Sequence, residues 1–339
     1  MVLKKEDKTY KSFLKKAGGN EGELCYYPIR LDSYGKGCEH NCTYCYARAG
    51  LERYKVWDNF HPTPASIDEI KKIFDKALNG VGNLSKAIQQ RVPIRLGGMT
   101  DPFTPYEKDA QVTYELLKYL NSINYPYLIV TKNAMIAEDK YLSILNKDLA
   151  AVQVTITTLR PSMAWRIETN ASTVHDRVKA IKALADNNIY VQARISPFFP
   201  EHPDGFHSGK WDGKHKPFAN FSWNLINEVC EVGAKTVVAE FIRFYPSTLK
   251  WLSEESGLDL KYLINENSIF KGGAWHFSFE EKLFYYTRVK SICNSYGVDF
   301  TVCEDAHFHE ARFLWANHHD CCNLKNSIPA FNITCKEVL

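Results

Sequence analysis

Three cysteines crowd into the stretch Gly37-Cys38-Glu39-His40-Asn41-Cys42-Thr43-Tyr44-Cys45-Tyr46-Ala47-Arg48, spaced C-x3-C-x2-C. Thiolates are the usual ligands of iron–sulfur clusters, and three so close together suit three irons of a [4Fe–4S] cubane. The fourth iron then has no protein ligand and stays open to a small molecule. Structural zinc is the main competitor, but it takes four ligands, generally in paired C-x2-C spacing. His40 could supply a fourth, yet a complete zinc site inside one short loop would be unusual. Three buried, unligated thiols are the other alternative. A polar loop opened by glycine is poor core material, so the spacing favours a cluster.

A second group of ligand-type residues lies near the C-terminus: Cys303, His307, His309, His318, His319, Cys321, Cys322 and Cys335. Such density suggests a second metal site, either an auxiliary iron–sulfur cluster or zinc, with Cys303, Cys321, Cys322 and Cys335 as its cysteine ligands. Buried thiols with surface histidines are the alternative. Cys25, Cys230 and Cys293 fall in strand or helix patterns and read as core.

Short apolar runs and amphipathic helical patterns alternate along most of the chain, and these elements must carry the candidate residues. Ser66 and Glu69 have capping-box spacing behind Pro64. Ile67, Ile70, Ile73, Phe74, Ala77 and Leu78 then share one helical face. Extended runs are expected at 92–96, 127–130, 151–158, 189–195, 236–242 and 298–302. Helices are expected at 107–121, 138–146, 174–185, 223–232 and 279–295. This alternation argues for a parallel sheet with helices outside. Unusual residues gather where strands end: Gly97–Asp101, Thr131–Lys132, Thr155–Thr158, Arg194–Pro197, Glu240–Tyr245 and Cys303–Asp305. Many strands feeding one face suits a (β/α) barrel or partial barrel better than a doubly wound sheet. The stretch 200–217, rich in Gly, His, Lys and Asp, reads as a long loop that either covers a site or is a solvated insertion.

Composition sets the outer bounds. At 339 residues and 45% hydrophobic, the chain can bury a large core. Its formal net charge of +3 neither requires nor excludes nucleic acid. No run approaches the roughly 18 consecutive apolar residues of a membrane span. The lysine-rich start reads as a solvated arm without a secretory signal. A cytoplasmic location follows, where ten cysteines are better explained by metal than by disulfides. The organisation expected is an arm over 1–24, a barrel over 25–303 and a Cys/His-rich extension over 304–339.

Beyond the three cysteines, the sequence resembles the spore photoproduct lyase-like branch of the radical S-adenosylmethionine (SAM) superfamily. Four blocks carry the resemblance: GCEHNCTYCYAR at 37–48, GGMTDPFTPYE at 97–107, VTK at 130–132 and VTITTL at 154–159 with IET at 167–169. They span roughly residues 30 to 200. The resemblance implies an α/β fold, a partial (β/α) TIM-like barrel of about six βα units, with a [4Fe–4S] cluster and SAM at its mouth. It places the SAM amino group near Gly97, Gly98 and Met99, with the Thr100 hydroxyl close by. Lys132 becomes a candidate partner for the SAM carboxylate, Thr155 or Thr157 for the ribose, and Tyr44 for the adenine. Arg194 could also take the carboxylate or serve as a structural ion pair. Tyr44 and Tyr46, flanking the last cysteine, match a pair of catalytic tyrosines in this branch. The lyase's hydrogen-donating cysteine after the second strand is missing, because Leu96–Asp101 contains no thiol. A relative with different radical chemistry is therefore expected.

The expected activity is reductive cleavage of SAM followed by hydrogen abstraction from a substrate. The resemblance points to a nucleobase or nucleic acid, with a peptide or small metabolite as the alternative, and to a low-potential electron donor. The rival of another class is a zinc-binding nucleic-acid protein without radical chemistry.

Overall fold

A computed structural model describes residues 14–52, 54–57, 61–199, 223–303, 307 and 309–339. The loop expected at 200–217 lies outside them. The core is an eight-stranded sheet whose spatial order follows the chain. Its strands are β1 (Lys15–Lys16), β2 (Ile29–Arg30), β3 (Ile94–Leu96), β4 (Tyr127–Thr131), β5 (Ala150–Thr155), β6 (Tyr190–Phe198), β7 (Thr236–Phe241) and β8 (Asp299–Val302). Only the β1–β2 pair is antiparallel; β2 through β8 run parallel. Strictly sequential order without a switch point is the topology of a barrel wall and not of a doubly wound sheet. Among the described residues β1 and β8 do not pair, so the barrel is partial.

Helices cover the outer face because their apolar stripes must be buried. Helix Ile67–Leu78 begins where the Ser66 hydroxyl accepts from the Glu69 amide, and it buries Ile70, Phe74 and Ala77. Val174–Asp186 begins at a Thr173 cap, and Phe279–Ser295 at a full capping box of Ser278 and Glu281. Strand β5 is buried along its whole length, as a strand covered on both faces must be.

Two expected helices differ. The 107–121 pattern breaks into Glu107–Ala110 and Val112–Ser122 at Gln111, whose φ is +51°. The Glu107 carboxylate folds back to accept from the Thr113 and Tyr114 amides, both at 2.9 Å. It thereby satisfies donors that the second helix leaves orphaned. Around 138–146 only a 3-10 turn, Ala134–Ala137, and one α turn, Asp139–Leu142, form.

Part of the segment read as a solvated arm is packed. Lys15–Lys16 joins the sheet edge, and Glu21 pairs with Arg30 and Arg95. At the other end, residues 320–325 fold against the barrel, where Gln192 Nε2 donates to the Cys322 carbonyl at 2.6 Å. No helix of the described residues is long and apolar enough to cross a membrane.

Candidate active site

The carboxyl ends of the strands enclose a cavity of about 540 Å³. Its wall includes Cys38, Cys42, Cys45, Tyr44, Tyr46, Gly97, Gly98, Met99, Thr100, Lys132, Thr155, Arg194 and Cys303. Residues proposed from sequence at six separate chain positions thus meet in one space. Thr157 does not join them; it lies behind the wall, donating to Glu168 Oε1 at 3.1 Å.

The cysteine loop is held by its own backbone and by two neighbours. Asn41 takes a left-handed φ of +48°, which asparagine tolerates. Turn bonds run from the Asn41 amide to the Cys38 carbonyl and from the Cys45 amide to the Cys42 carbonyl. Thr43 N donates to the Ile167 carbonyl at 3.0 Å on one side. On the other, Glu39 Oε2 accepts from Thr104 Oγ1 at 2.9 Å and the Tyr106 amide at 2.6 Å. Behind the loop, Arg48 pairs with Glu52 and Glu255 and stacks on Trp251. Cys38 and Cys42 are buried and Cys45 is half-buried.

The opposite wall is the β3 end. A Cβ at Gly97 would stand 2.4 Å from the Val130 carbonyl oxygen, and its φ is +89°, so only glycine fits. A Cβ at Gly98 would collide with the Arg30 side chain at 2.2 Å. The Met99 amide donates to Asp32 Oδ1 at 3.0 Å. Thr100 Oγ1 donates to the Gly37 carbonyl at 3.0 Å, tying this strand end to the cysteine loop.

Asp101 was legible only as part of the GGMTDPFTPYE block, yet it joins three elements. Oδ1 accepts from Thr131 Oγ1 at 2.7 Å and Oδ2 from the Lys132 amide at 2.7 Å, while Oδ2 stands 3.3 Å from His40 Nδ1. Burial disfavours its charge, but His40 and these donors outweigh it and hold the carboxyl below its ordinary range. Burial likewise opposes a charged His40, and Asp101, with the Cys38 sulfur beside it, overcomes it, pushing the ring up to about 10.

Lys132 reaches into the cavity with Nζ 5.6 Å from the Tyr44 ring centre. Desolvation lowers its pKa, but the sulfurs of Cys42 and Cys45 with Glu168 and Asp101 raise it above the ordinary lysine value. Burial pushes the Cys42 and Cys45 thiols up, and the Lys132 charge opposes that shift. The tyrosines differ in partners: Tyr44 donates to Glu168, itself paired with the buried Arg177 at 2.6 Å, whereas Tyr46 donates to the Gly98 carbonyl. Arg194 is engaged as an ion pair, 2.8 Å from Glu240 Oε2, with Gln153 and Cys303 as further contacts.

Three thiols on one loop, a half-buried ammonium beside them and a glycine strand end opposite fit an iron–sulfur cluster carrying a small zwitterionic ligand. Among the described residues no three His, Cys, Asp or Glu side chains converge on a single metal-sized point.

The radical SAM superfamily description matches residues 33–205, just over half of the sequence. The chain belongs to this superfamily. An uncharacterized protein of Methanocaldococcus jannaschii is 27% identical over 189 residues, 55% of this chain and 65% of that one. An uncharacterized protein of Acidianus two-tailed virus is 25% identical over 179 residues, 50% of this chain and 55% of that one. The chain thus spans less than two thirds of either relative. Among solved structures, a point mutant of spore photoproduct lyase superposes with a TM-score of 0.60 at 14% identity, covering 81% of this chain and 76% of that one. The lyase complexed with dinucleoside spore photoproduct gives 0.57 at 15%, with the same coverage. These likenesses are of fold alone, that of the radical SAM partial barrel.

The C-terminal ligand set is only partly brought together in this radical SAM protein. Cys321 neighbours both Cys303 and Cys322. Cys335 instead starts the final helical turn, with its amide donating to the Tyr26 carbonyl. His307 is buried against Lys282 Nζ at 3.2 Å, and His309, His318 and His319 are exposed. The four cysteines proposed for a second metal therefore do not form one group. All ten cysteines are free thiols, and Cys25, Cys230 and Cys293 are buried as expected of core residues.

Proposed function

We propose that this enzyme holds a [4Fe–4S] cluster on Cys38, Cys42 and Cys45 and uses it on SAM to abstract hydrogen from a nucleobase or nucleic-acid substrate. When bound, cluster and SAM together supply one electron to the sulfonium and so a 5′-deoxyadenosyl radical. The observation that carries the reading is the single cavity shared by the three thiols, Lys132 and the Gly97–Thr100 strand end.

The chain's own residues supply binding and orientation. Lys132 offers an ammonium to the SAM carboxylate, and the backbone of Gly97 and Gly98 offers carbonyl acceptors to its amino group. Thr155, buried at the end of β5, is placed for the ribose, and the Tyr44 ring for the adenine. The His40–Asp101 pair keeps cysteine loop and strand end in register. Arg194, engaged by Glu240, shapes the floor of the cavity and is not offered to the carboxylate.

A nucleic-acid substrate is supported by the likeness in fold to a lyase solved with a dinucleoside. The test is anaerobic reconstitution followed by iron and sulfide analysis and a search for 5′-deoxyadenosine. About four irons with matching sulfide, and 5′-deoxyadenosine that rises when oligonucleotide is added, are expected. Bound zinc in a colourless protein would overturn the reading. A rise with peptides or small metabolites but not with oligonucleotides would replace its substrate.

A further inference from the structure

We propose that Cys303 and Cys321 form a dithiol that gives a hydrogen atom to radicals generated in the cavity. The inference rests on the radical chemistry proposed above and adds a residue pair to it. Cys303 closes β8 and lines the same cavity as the three cluster cysteines. Among the described lining residues it is the sole thiol outside the cysteine loop. An S–H bond is weaker than the C–H bonds of an alkyl group such as the 5′ carbon of deoxyadenosine. A thiol facing a carbon radical there therefore yields a hydrogen atom readily.

The surroundings of Cys303 are built. Its sulfur lies 3.4 Å from both Nη1 and Nη2 of Arg194, a planar cation held in place by Glu240 and Gln153. The Cys321 thiol hydrogen-bonds to the same sulfur. Cys321 is fully buried and sits on a loop pinned to the barrel: its carbonyl accepts from Thr301 Oγ1 at 3.1 Å, and the next carbonyl accepts from Gln192. Asp320 secures the turn by accepting from the amides of Cys322, Leu324 and Lys325. The Cys321 bond, opposed by burial and helped by Arg194, draws the Cys303 thiol down to about 6, and the same bond raises Cys321. The pair thus holds one proton and one negative charge between two sulfurs.

The step balances. The proton shared by the two sulfurs moves from Cys321 to Cys303, and removal of a hydrogen atom then breaks the Cys303 S–H bond facing the cavity and forms a C–H bond on the radical. The two sulfurs are left joined by a three-electron bond that keeps the negative charge. Passing one electron to the oxidised iron–sulfur cluster then leaves a neutral disulfide. A small dithiol reductant restores the pair by supplying two electrons and two protons, one of which Cys303 releases again.

The test uses reconstituted full-length protein, SAM, a strong reductant and D2O, without added substrate. Thiol hydrogens exchange with solvent, so the 5′-deoxyadenosine formed should carry one deuterium. That fraction should fall at least fivefold in Cys303→Ala and in Cys321→Ala. An unchanged deuterium fraction in either variant overturns the proposal. Failure of the wild type to form any 5′-deoxyadenosine overturns the underlying reading and this one with it. A second measurement needs no cofactor: mild diamide oxidation of cluster-free protein, with peptide mapping, should yield a Cys303–Cys321 disulfide. A Cys321–Cys322 bridge with Cys303 free would overturn the pairing. Zinc or iron beyond one cluster, lost in the Cys303→Ala/Cys321→Ala double variant, would assign these thiols to a metal instead.

Discussion

Asp101 Oδ2 stands 3.3 Å from His40 Nδ1 while accepting the Lys132 amide at 2.7 Å. One carboxylate therefore binds the middle of the cysteine loop to the ends of β3 and β4. The loop that would hold iron and the strand ends that would hold SAM are a single mechanical unit.

This pair makes stability depend on pH. The folded His40 titrates at about 10, against about 6.5 in an unfolded chain. A raised pKa contributes stability that is complete below the unfolded value and is lost as pH rises through the folded one. Thermal melts of cluster-free wild type and His40→Gln should differ most below about pH 6.5 and converge toward about pH 10. A difference independent of pH between these limits would show that the charge of His40 is not what Asp101 stabilises.

Replacing Cys38, Cys42 or Cys45 singly with Ala should abolish the cluster's visible absorption and all SAM cleavage, because two thiolates hold a cubane poorly. A single variant that kept full cleavage would remove that cysteine from the ligand set.

Lys132→Ala should leave iron content unchanged and weaken SAM binding. A charge-assisted hydrogen bond is worth roughly 1.5–3 kcal/mol, or about ten- to a hundredfold in affinity. Titration of SAM into the reconstituted variant reads this directly, and an unaltered affinity would detach Lys132 from the ligand.

The barrel and much of this cavity were legible in the sequence because their signals are local. A C-x3-C-x2-C spacing, a glycine pair after an apolar run and alternating apolar periods each need only neighbouring residues. What stayed hidden depends on pairs far apart in the chain. Tyr44 meets Glu168 across 124 positions, and Arg194 meets Cys303 across 109. Glu168 stood in the IET block and Glu240 at a strand end, but neither position told which distant residue it would meet. The helix break at Gln111 was hidden for a related reason. An apolar pattern continues through it, and only the folded position of the Glu107 carboxylate shows that a second helix begins there.

Gly97→Ala tests whether the strand end tolerates any side chain. The new methyl group would stand 2.4 Å from a backbone oxygen, at a φ that L-residues rarely adopt. The loss of stability should exceed about 1 kcal/mol, a fall of a few degrees in Tm. A variant that melts with the wild type would mean that β3 can shift away from β4 at no cost.

The final prediction concerns how a product radical is quenched. Leu96–Asp101 holds no thiol, so hydrogen cannot return from the position after β3. Little or no conversion of spore photoproduct to two thymines is therefore expected, and efficient repair by the wild type would overturn this. The two tyrosines should behave differently from each other. The Tyr46 hydroxyl donates to the Gly98 carbonyl, which cannot take up its proton, whereas the Tyr44 hydroxyl donates to the Glu168 carboxylate. Tyr46→Phe should consequently change the ratio of products more than the rate of SAM cleavage. Tyr44→Phe removes one donor to Glu168 beside Lys132, where Thr157 and Arg177 remain, and a bond that fixes the ring near the ligand, so SAM affinity should fall as well. An unchanged product ratio in Tyr46→Phe, measured by chromatography with the substrate that raises 5′-deoxyadenosine formation, would confine Tyr46 to packing. Unchanged SAM binding in Tyr44→Phe would show that its ring, and not its hydroxyl, is what the ligand requires.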